Sequence, residues 1–387
     1  MHTAPMPPKV YKIAVVIPKY GLVGGAEGFA AELTERIARN DRYEIHVFAN
    51  EWLKESLRIL FHKIPVISFP KFLTTVSFAH FAGRKIASMN FDLIHTHERI
   101  FQADLFTMHG IPHRIWVTEV RHKNMSLFDV ATKWVEKCLV QNQRCQRFLT
   151  VSRLVKEKFL QEYGHVDCKR IQIIYPGVDI QRFQRLDRDE CRNEIRRQWD
   201  IDAKDLVILF VSMNFEIKGL AELMAGLAKL KSKYPPQKFK LLVIGKGNVK
   251  KFRKLALQLG IQDHIRFLGV VHRETLDRIY LAGDIFTMLS KFDTFGIAVL
   301  EAMAASLPIV ISGNVGAKDI VREETNGFVV ENTNSPDEIC DKIGLLLNEE
   351  LRSRMGDQAL KTASRFTWEA AARKVENIYE DLLGDRS

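Results

Sequence analysis

At 387 residues the chain exceeds what one ordinary hydrophobic core supports and fits two α/β domains. Its 46% hydrophobic and 27% charged residues suit a globular protein, and no apolar run reaches the roughly 18 residues that cross a bilayer, which excludes a helical membrane protein. The net charge of +10 is uneven: residues 1–180 hold 25 Lys/Arg against 17 Asp/Glu and ten of the twelve histidines, while residues 181–387 hold 32 against 30. A basic first half is expected to face an anionic partner, a membrane surface or phosphorylated glycolipid before nucleic acid; a merely solvated basic face is the alternative. Met1–Lys9 is short, polar and proline-bearing, and reads as a disordered tail without a targeting core. Five cysteines, odd in number and without metal spacing, read as free thiols. Together these features point to the cytoplasm.

Taken in order, Tyr11–Pro18 is an apolar strand of parallel-sheet type. Gly21, Gly24 and Gly25 follow, and Ala26–Arg39 then shows helical spacing. A strand, a glycine loop and a helix start make a phosphate- or hydroxyl-binding turn, although any tight βα turn needs glycine and the spacing is not the dinucleotide fingerprint. Tyr43–Asn50 and Ile64–Phe69 are further strands. Asp92–Thr96 ends at His95 and His97, and Leu105–Thr107 leads into His109. Ligands of open α/β sheets bind at the carboxyl ends of strands, so all three histidines stand where chemistry belongs. No third ligand with motif spacing accompanies His95 and His97, so a metal is not expected. Ile111–Phe148 reads as long and largely helical, with aromatics flanked by basic residues. That suits either an interfacial membrane contact or an amphipathic helix pair on the sheet. Ser152 is an N-cap for Arg153–Tyr163, and the polar, charged segment Gln181–Arg197 reads as the domain boundary.

The second half restarts the same grammar. Leu206–Val211 is a buried strand, and Lys218-Gly219 opens a helix, where a lysine can neutralise a phosphate. Phe239–Ile244 ends at Gly245-Lys246-Gly247; Ile265–Leu268, Asp284–Leu289 and Phe328–Val330 are further strands. Between the last two lies Phe292–Ser312, read as a loop, a short helix over Ala298–Ala305 and a buried strand. Asp293 stands on the loop and Glu301 on the helix, with backbone N–H groups at the helix start between them. That pattern suits a ligand carrying both phosphate and many hydroxyls, such as a sugar nucleotide. The strand–helix alternation makes a second doubly wound domain, and Glu369–Leu383 a final helix.

These segments, in this order, resemble the retaining glycosyltransferases of family 4. The resemblance rests on GGAE (Gly24–Glu27), DLIHTH (Asp92–His97), TMHG (Thr107–Gly110), IIYPGVDIQRF (Ile173–Phe183), KGL (Lys218–Leu220), LLVIGKG (Leu241–Gly247), DTFGIAVLEAMAASLPIV (Asp293–Val310) and FTW (Phe366–Trp368), and spans nearly the whole chain. It implies a GT-B fold: two Rossmann-like domains, residues 10–183 for the acceptor and 184–365 for the donor, facing a central cleft, with 366–387 crossing back onto the first. It implies that Glu301 accepts from the nucleotide ribose, Asp293 contacts the donor sugar, Lys218 neutralises the leaving diphosphate and His109 faces the donor sugar. It places Gly24, Gly25, Gly245, Phe267, Leu268, Thr294, Phe295, Gly296 and Ile297 around the donor. His95, His97 and Glu98 are the candidate acceptor contacts. Two positions depart from the pattern: Asp293 stands where the family usually has Glu, and Met213 where it often has Arg.

The implied activity is transfer from a nucleotide sugar, UDP-linked by preference, to a glycolipid or saccharide acceptor, in lipopolysaccharide core or cell-surface glycan synthesis. No Asp-x-Asp pair occupies a suitable loop, so a metal-independent enzyme without cofactors is expected, the nucleotide sugar being a co-substrate. Nucleic acid is not an expected partner. The expected location is cytoplasmic, with peripheral attachment to the inner face of the membrane. The alternatives are a non-catalytic nucleotide-sugar-binding protein and a sugar-nucleotide epimerase.

Overall fold

Aliphatic and β-branched runs become parallel strands when both faces of a sheet are covered by helices, and the computed structural model contains two such sheets. It describes residues 9–22, 24–53, 56–235 and 238–384. The expected tail, residues 1–9, lies outside these except for Lys9. Among the described residues no helix is long and apolar enough to cross a membrane. The chain divides into two units: residues up to Pro176 with those from Trp368 on, and Gly177–Thr367.

The first unit holds β1 (Tyr11–Val16), β2 (Lys19–Tyr20), β3 (Tyr43–Ala49), β4 (Glu51–Trp52), β5 (Ile59–Lys63), β6 (Leu93–Thr96), β7 (Leu105–Met108), β8 (Arg147–Thr150) and β9 (Ile171–Ile173). Seven of them form one sheet in the order β5-β3-β1-β6-β7-β8-β9, while β2 pairs with β4. The strand expected over Ile64–Phe69 is a loop instead, because the run that pairs with β3 is the preceding Ile59–Lys63. β1 is central, with Val16 level with Phe48 on one side and Thr96 on the other. The long segment 111–148 is not one helix. A helical turn at His113–Ile115 and a π-helical stretch Trp116–Val120 precede a separate helix, Leu127–Gln141. That helix starts where Ser126 and Asp129 form a capping box. The final helix, Trp368–Gly384, belongs to this unit. Its apolar stripe (Val375, Ile378, Tyr379, Leu382) is buried. Arg36 pairs with Glu369 at 2.7 Å and Arg42 with Glu380 at 2.6 Å along its polar side.

The second unit holds β10 (Leu206–Ser212), β11 (Phe239–Gly245), β12 (Ile265–Gly269), β13 (Ile285–Met288), β14 (Ile309–Ser312) and β15 (Gly327–Val330), in the order β12-β11-β10-β13-β14-β15. Its core packs helix Leu220–Lys233 against Pro336–Leu345 through Leu223, Leu227, Ile339 and Ile343. Each such side chain contributes about 1.5–3 kcal/mol on burial.

The boundary read at residues 183/184 falls instead at 176/177, and Gln181–Arg197, read as the domain boundary, lies wholly within the second unit. It forms helices Gln181–Gln184 and Arg188–Gln198, both part of the second unit. The reason lies in its arginines. Arg192 and Arg196 both reach Asp284, at 2.8 and 3.1 Å, and Arg196 also donates to the Asp205 carbonyl. These long-range bonds hold the charged segment against the second unit. The second boundary likewise falls at 367/368 rather than 365/366.

Candidate active site

In both sheets the chain order reverses beside the first strand, between β1 and β6 and between β10 and β13. The carboxyl ends at such a switch point are the ligand-binding position of open α/β sheets, because neighbouring loops diverge there.

In the second unit the β10 loop carries Lys218 and the β13 loop carries Asp293. Three bonds tie these loops together. Lys291 N–H donates to the Ile217 carbonyl at 2.8 Å, Ser290 Oγ donates to the same oxygen at 3.1 Å, and Lys218 Nζ donates to Asp293 Oδ2. Gly219 makes the approach feasible. Its φ is +80°, and a Cβ there would stand 2.0 Å from the Leu289 carbonyl oxygen. Asp293 Oδ1 accepts from Phe295 N–H at 3.2 Å, so the carboxylate also shapes its own loop. Gly296 is the N-cap of helix Ile297–Ala304, and no side chain caps that first turn. First-turn N–H groups lack intrahelical acceptors and carry partial positive charge. A cation, a carboxylate and an uncapped helix start therefore share one switch point.

Glu301 sits one turn into that helix, in a second charged group. Arg182 donates to Glu301 Oε1 at 3.2 Å and forks onto Asp277, with Nε to Oδ2 at 3.1 Å. Tyr280 donates to Glu301 Oε2 at 3.3 Å. Burial opposes the charge of Arg182, but its bonds to Asp277 and Glu301 outweigh burial and raise its pKa. Burial, followed by the nearby Glu301, holds the Tyr280 phenol well above its usual pKa, so it remains a donor. Glu301 is thus fixed on one side by two donors, and a carboxylate retains lone pairs for further hydroxyls.

The expected donor residues are distributed over this edge. Gly245 ends β11 and Phe267 and Leu268 lie on the adjacent β12. The structure gives Gly245 a reason independent of any ligand, because a Cβ there would lie 1.8 Å from the Ser212 carbonyl oxygen. Phe267 lies beneath the Arg253 guanidinium, 6.0 Å from the ring centroid. Thr294, Phe295 and Ile297 flank Gly296, with Phe295 buried. Met213 is 55% exposed at the end of β10.

The switch point of the first unit is built differently. Gly24 and Gly25 open helix Gly25–Ile37, and no side chain caps it. His95, His97 and His109 form a column of imidazoles: His95 and His97 have centroids 4.3 Å apart, and His97 stacks on His109 at 5.1 Å and 13°. His97 Nδ1 and His109 Nε2 are hydrogen-bonded at 2.9 Å. Burial, with His109 adjacent, lowers His95 to about 3; burial likewise lowers His109 to about 3 and His97 far below its ordinary value. All three are neutral at physiological pH.

His95 does not fit the expected role of acceptor contact. Its ring is fully buried, and its nitrogens bond Tyr379 Oη and Thr107 Oγ1, both at 2.7 Å. His97 is buried as well and lies beneath His109, which is only half-buried and packs on the edge of Phe29. Glu98 is partly exposed and pairs with Arg99 at 3.1 Å. The sequence reading missed Arg182, Asp277 and Tyr280. A signal existed: Asp277 and Tyr280 are three apart on the helix Arg273–Ala282, so an acid falls on its buried face.

Comparison with known proteins bears on this arrangement. A family model described as "Glycosyl transferases group 1" matches residues 191–362, and one described as "Glycosyltransferase Family 4" matches residues 23–182. The chain belongs to the group 1, family 4 glycosyltransferases. It is 28% identical over 388 residues to an uncharacterized glycosyltransferase of Methanocaldococcus jannaschii, covering 95% of this chain and 98% of that one. It is 28% identical over 309 residues to the D-inositol 3-phosphate glycosyltransferase of Corynebacterium jeikeium, covering 76% and 73%. Among solved structures, WaaG, a glycosyltransferase involved in lipopolysaccharide biosynthesis, is similar with a TM-score of 0.78 at 18% identity, covering 95% and 99%. Anabaena HepE in complex with UDP-glucose is similar with a TM-score of 0.72 at 18% identity, covering 96% and 100%. The architecture is GT-B, with two Rossmann-like parallel sheets.

Proposed function

We propose that this glycosyltransferase moves a sugar, with retention of configuration, from a UDP-linked donor to a glycolipid or saccharide acceptor in lipopolysaccharide core or cell-surface glycan synthesis. The observation that carries the reading is the pairing of Lys218 with Asp293 beside an uncapped helix start at the β10/β13 switch point. In this proposal Lys218 and the first-turn N–H groups take the charge of the departing diphosphate, so no metal is needed. Lysine carries three N–H donors and can hold a phosphate oxygen while remaining on Asp293. Glu301, steadied by Arg182 and Tyr280, accepts from the ribose hydroxyls. Asp293 and the loop amides position the sugar, and His109 faces it as a neutral imidazole. The leaving phosphate assists deprotonation of the acceptor on the same face, which gives retention.

UDP is favoured partly because HepE, a structural neighbour, is described in complex with UDP-glucose. The lipopolysaccharide setting draws on WaaG, and an inositol phosphate acceptor on the corynebacterial relative. The basic first half supports a cytoplasmic enzyme held at an anionic membrane surface that presents the acceptor. The test is a thermal-shift screen with UDP, GDP, ADP and their sugars, followed by transfer assays. Saturation at roughly 100 times Kd stabilises the fold by about 2.7 kcal/mol. The expected result is a shift selective for UDP, with turnover lost in Lys218→Ala and Glu301→Ala. Unchanged turnover in both variants overturns the assignment. Tight binding without turnover on any donor would favour a binding protein, the reading that exposed Met213 and the short Asp293 invite.

A further inference from the structure

We infer that the first unit carries an insertion surface for an anionic lipid bilayer, formed by the loop after β5 and the exposed face of helix Leu127–Gln141. The inference rests on the reading that the acceptor is membrane-borne and names the surface that would bring the enzyme to it.

The apolar part of the surface is large and mostly exposed, with Trp134 steadied at one end by an edge contact with Phe101 at 5.3 Å. Phe69 is 88% exposed at the tip of the loop and Phe72 37% where it meets helix Leu73–Ala87. On the second helix Leu127 is 76% exposed, Val130 52% and Trp134 51%. Positions 127, 130 and 134 recur at helical spacing, so they form one outward stripe. The two pieces adjoin: Thr75 Oγ1 lies 3.1 Å from Thr132 Oγ1, and Lys71 Nζ stands 5.2 Å from the Phe128 ring centroid. Contiguous exposed apolar surface of this kind marks an interaction site.

The charge around it selects the occupant. From Ser56 to Phe91 the sequence contains no Asp or Glu, while Lys63, Lys71, Arg84 and Lys85 lie within that stretch. In the helix segment Arg121, Lys123 and Lys137 are exposed, whereas the acids turn inward. Asp129 accepts from Ser126 and His113, and Glu136 is fully buried against Arg99 and Tyr163. Glu119, just before the segment, is engaged by Lys158 and Gln161. Within these two stretches, among the described residues, the apolar side chains are accompanied by cations and by no exposed carboxylate. Lys and Arg suit anionic headgroups, aromatic rings suit the interface, and Leu127 and Val130 gain only from an apolar phase. A polyanion such as RNA would use the cations but leave those aliphatic side chains in water. The loop follows the carboxyl end of β5, and the segment before Leu127 follows that of β7. Insertion therefore presents to the bilayer the same sheet edge that carries His109, Gly24 and Gly25.

The test measures binding of the full chain to phosphatidylcholine vesicles with and without phosphatidylglycerol, by co-sedimentation and tryptophan emission. Binding is expected to require the anionic lipid and to shift emission to the blue, a shift absent in Trp134→Phe. Phe69→Ser should weaken partitioning at least about tenfold, and Lys137→Gln about fivefold. Melting temperature and the UDP-dependent thermal shift should be unchanged in these surface variants. Equal binding to neutral vesicles, or wild-type binding by Phe69→Ser and Lys137→Gln together, overturns the inference. So does tighter capture by RNA than by vesicles, or a dimer in light scattering that Phe69→Ser dissolves. If wild type binds vesicles but shows no nucleotide shift, the donor reading fails while the lipid surface stands.

Discussion

The two switch points occupy the same place in two sheets that share the order of six strands, the first sheet adding a seventh at its edge, yet their chemistry is opposite. The β1/β6 edge holds a column of three neutral imidazoles, His95 and His97 buried and His109 half-buried, bonded to Tyr379, Thr107 and one another. The β10/β13 edge holds two charged groups, Lys218 with Asp293 and Arg182 with Asp277 and Glu301. Topology supplies the position of a site, because diverging loops leave room there. The side chains then decide what the position can do. The charged edge suits a ligand that carries formal charge, and the neutral edge one that offers hydroxyls without forcing ions out of water.

The contrast is broken most severely by removing the cation at the centre of the charged edge. Arg182→Ala leaves Asp277 and Glu301 without their shared partner, and breaking a buried pair this way costs about 3–5 kcal/mol. The loss should appear as a lower denaturant midpoint, and a midpoint equal to wild type would show that the carboxylates do not depend on Arg182. Next in size, Lys218→Ala should reduce transfer about 100- to 1,000-fold, the range for removing one preorganised donor to a developing anion. The fold should survive, since Lys218 lies at a loop edge, and circular dichroism checks this.

The neutral edge makes a prediction in pH. His95 and His109 titrate at about 3 when folded, because burial disfavours the charged ring, against about 6.5 in an unfolded chain. Below 6.5 the unfolded state therefore binds more protons, and stability falls as pH drops towards 3. The slope is about 1.4 kcal/mol per ring for each pH unit. Above 6.5 these rings contribute no slope. Thermal melts across the window test this, and a flat profile would mean that the rings protonate without unfolding. The smallest effect is Asp293→Glu, which restores the family's usual acid. Asp293 bonds both Lys218 and Phe295 N–H. An added methylene displaces one of these, and activity should fall by less than about tenfold. Equal or higher activity would show that the shorter acid is not tuned to its loop.

Much of this protein follows from the sequence alone. Apolar β-branched runs specify buried strands, and their alternation with helical spacing specifies two parallel sheets. Glycines before helix starts mark the turns. Lys218, Asp293 and Glu301 stand out because each lies at or just beyond a loop-to-helix junction. These features depend on chain neighbours, and local propensity and periodicity encode them directly. Gln181–Arg197 shows the limit. It reads as a domain boundary, but Arg192 and Arg196 find Asp284 across about 90 residues and fold the segment into the second unit. The same holds for Lys218 reaching Asp293, for Arg182 reaching Glu301 and for Tyr379 of the last helix bonding His95. Gly245, read as a donor contact, is required where the β10 and β11 carboxyl ends meet. A charged or small residue has the same local appearance whether it is solvated or satisfied. Its role is set by which distant strand ends the sheet brings beside it, and only the tertiary structure decides that.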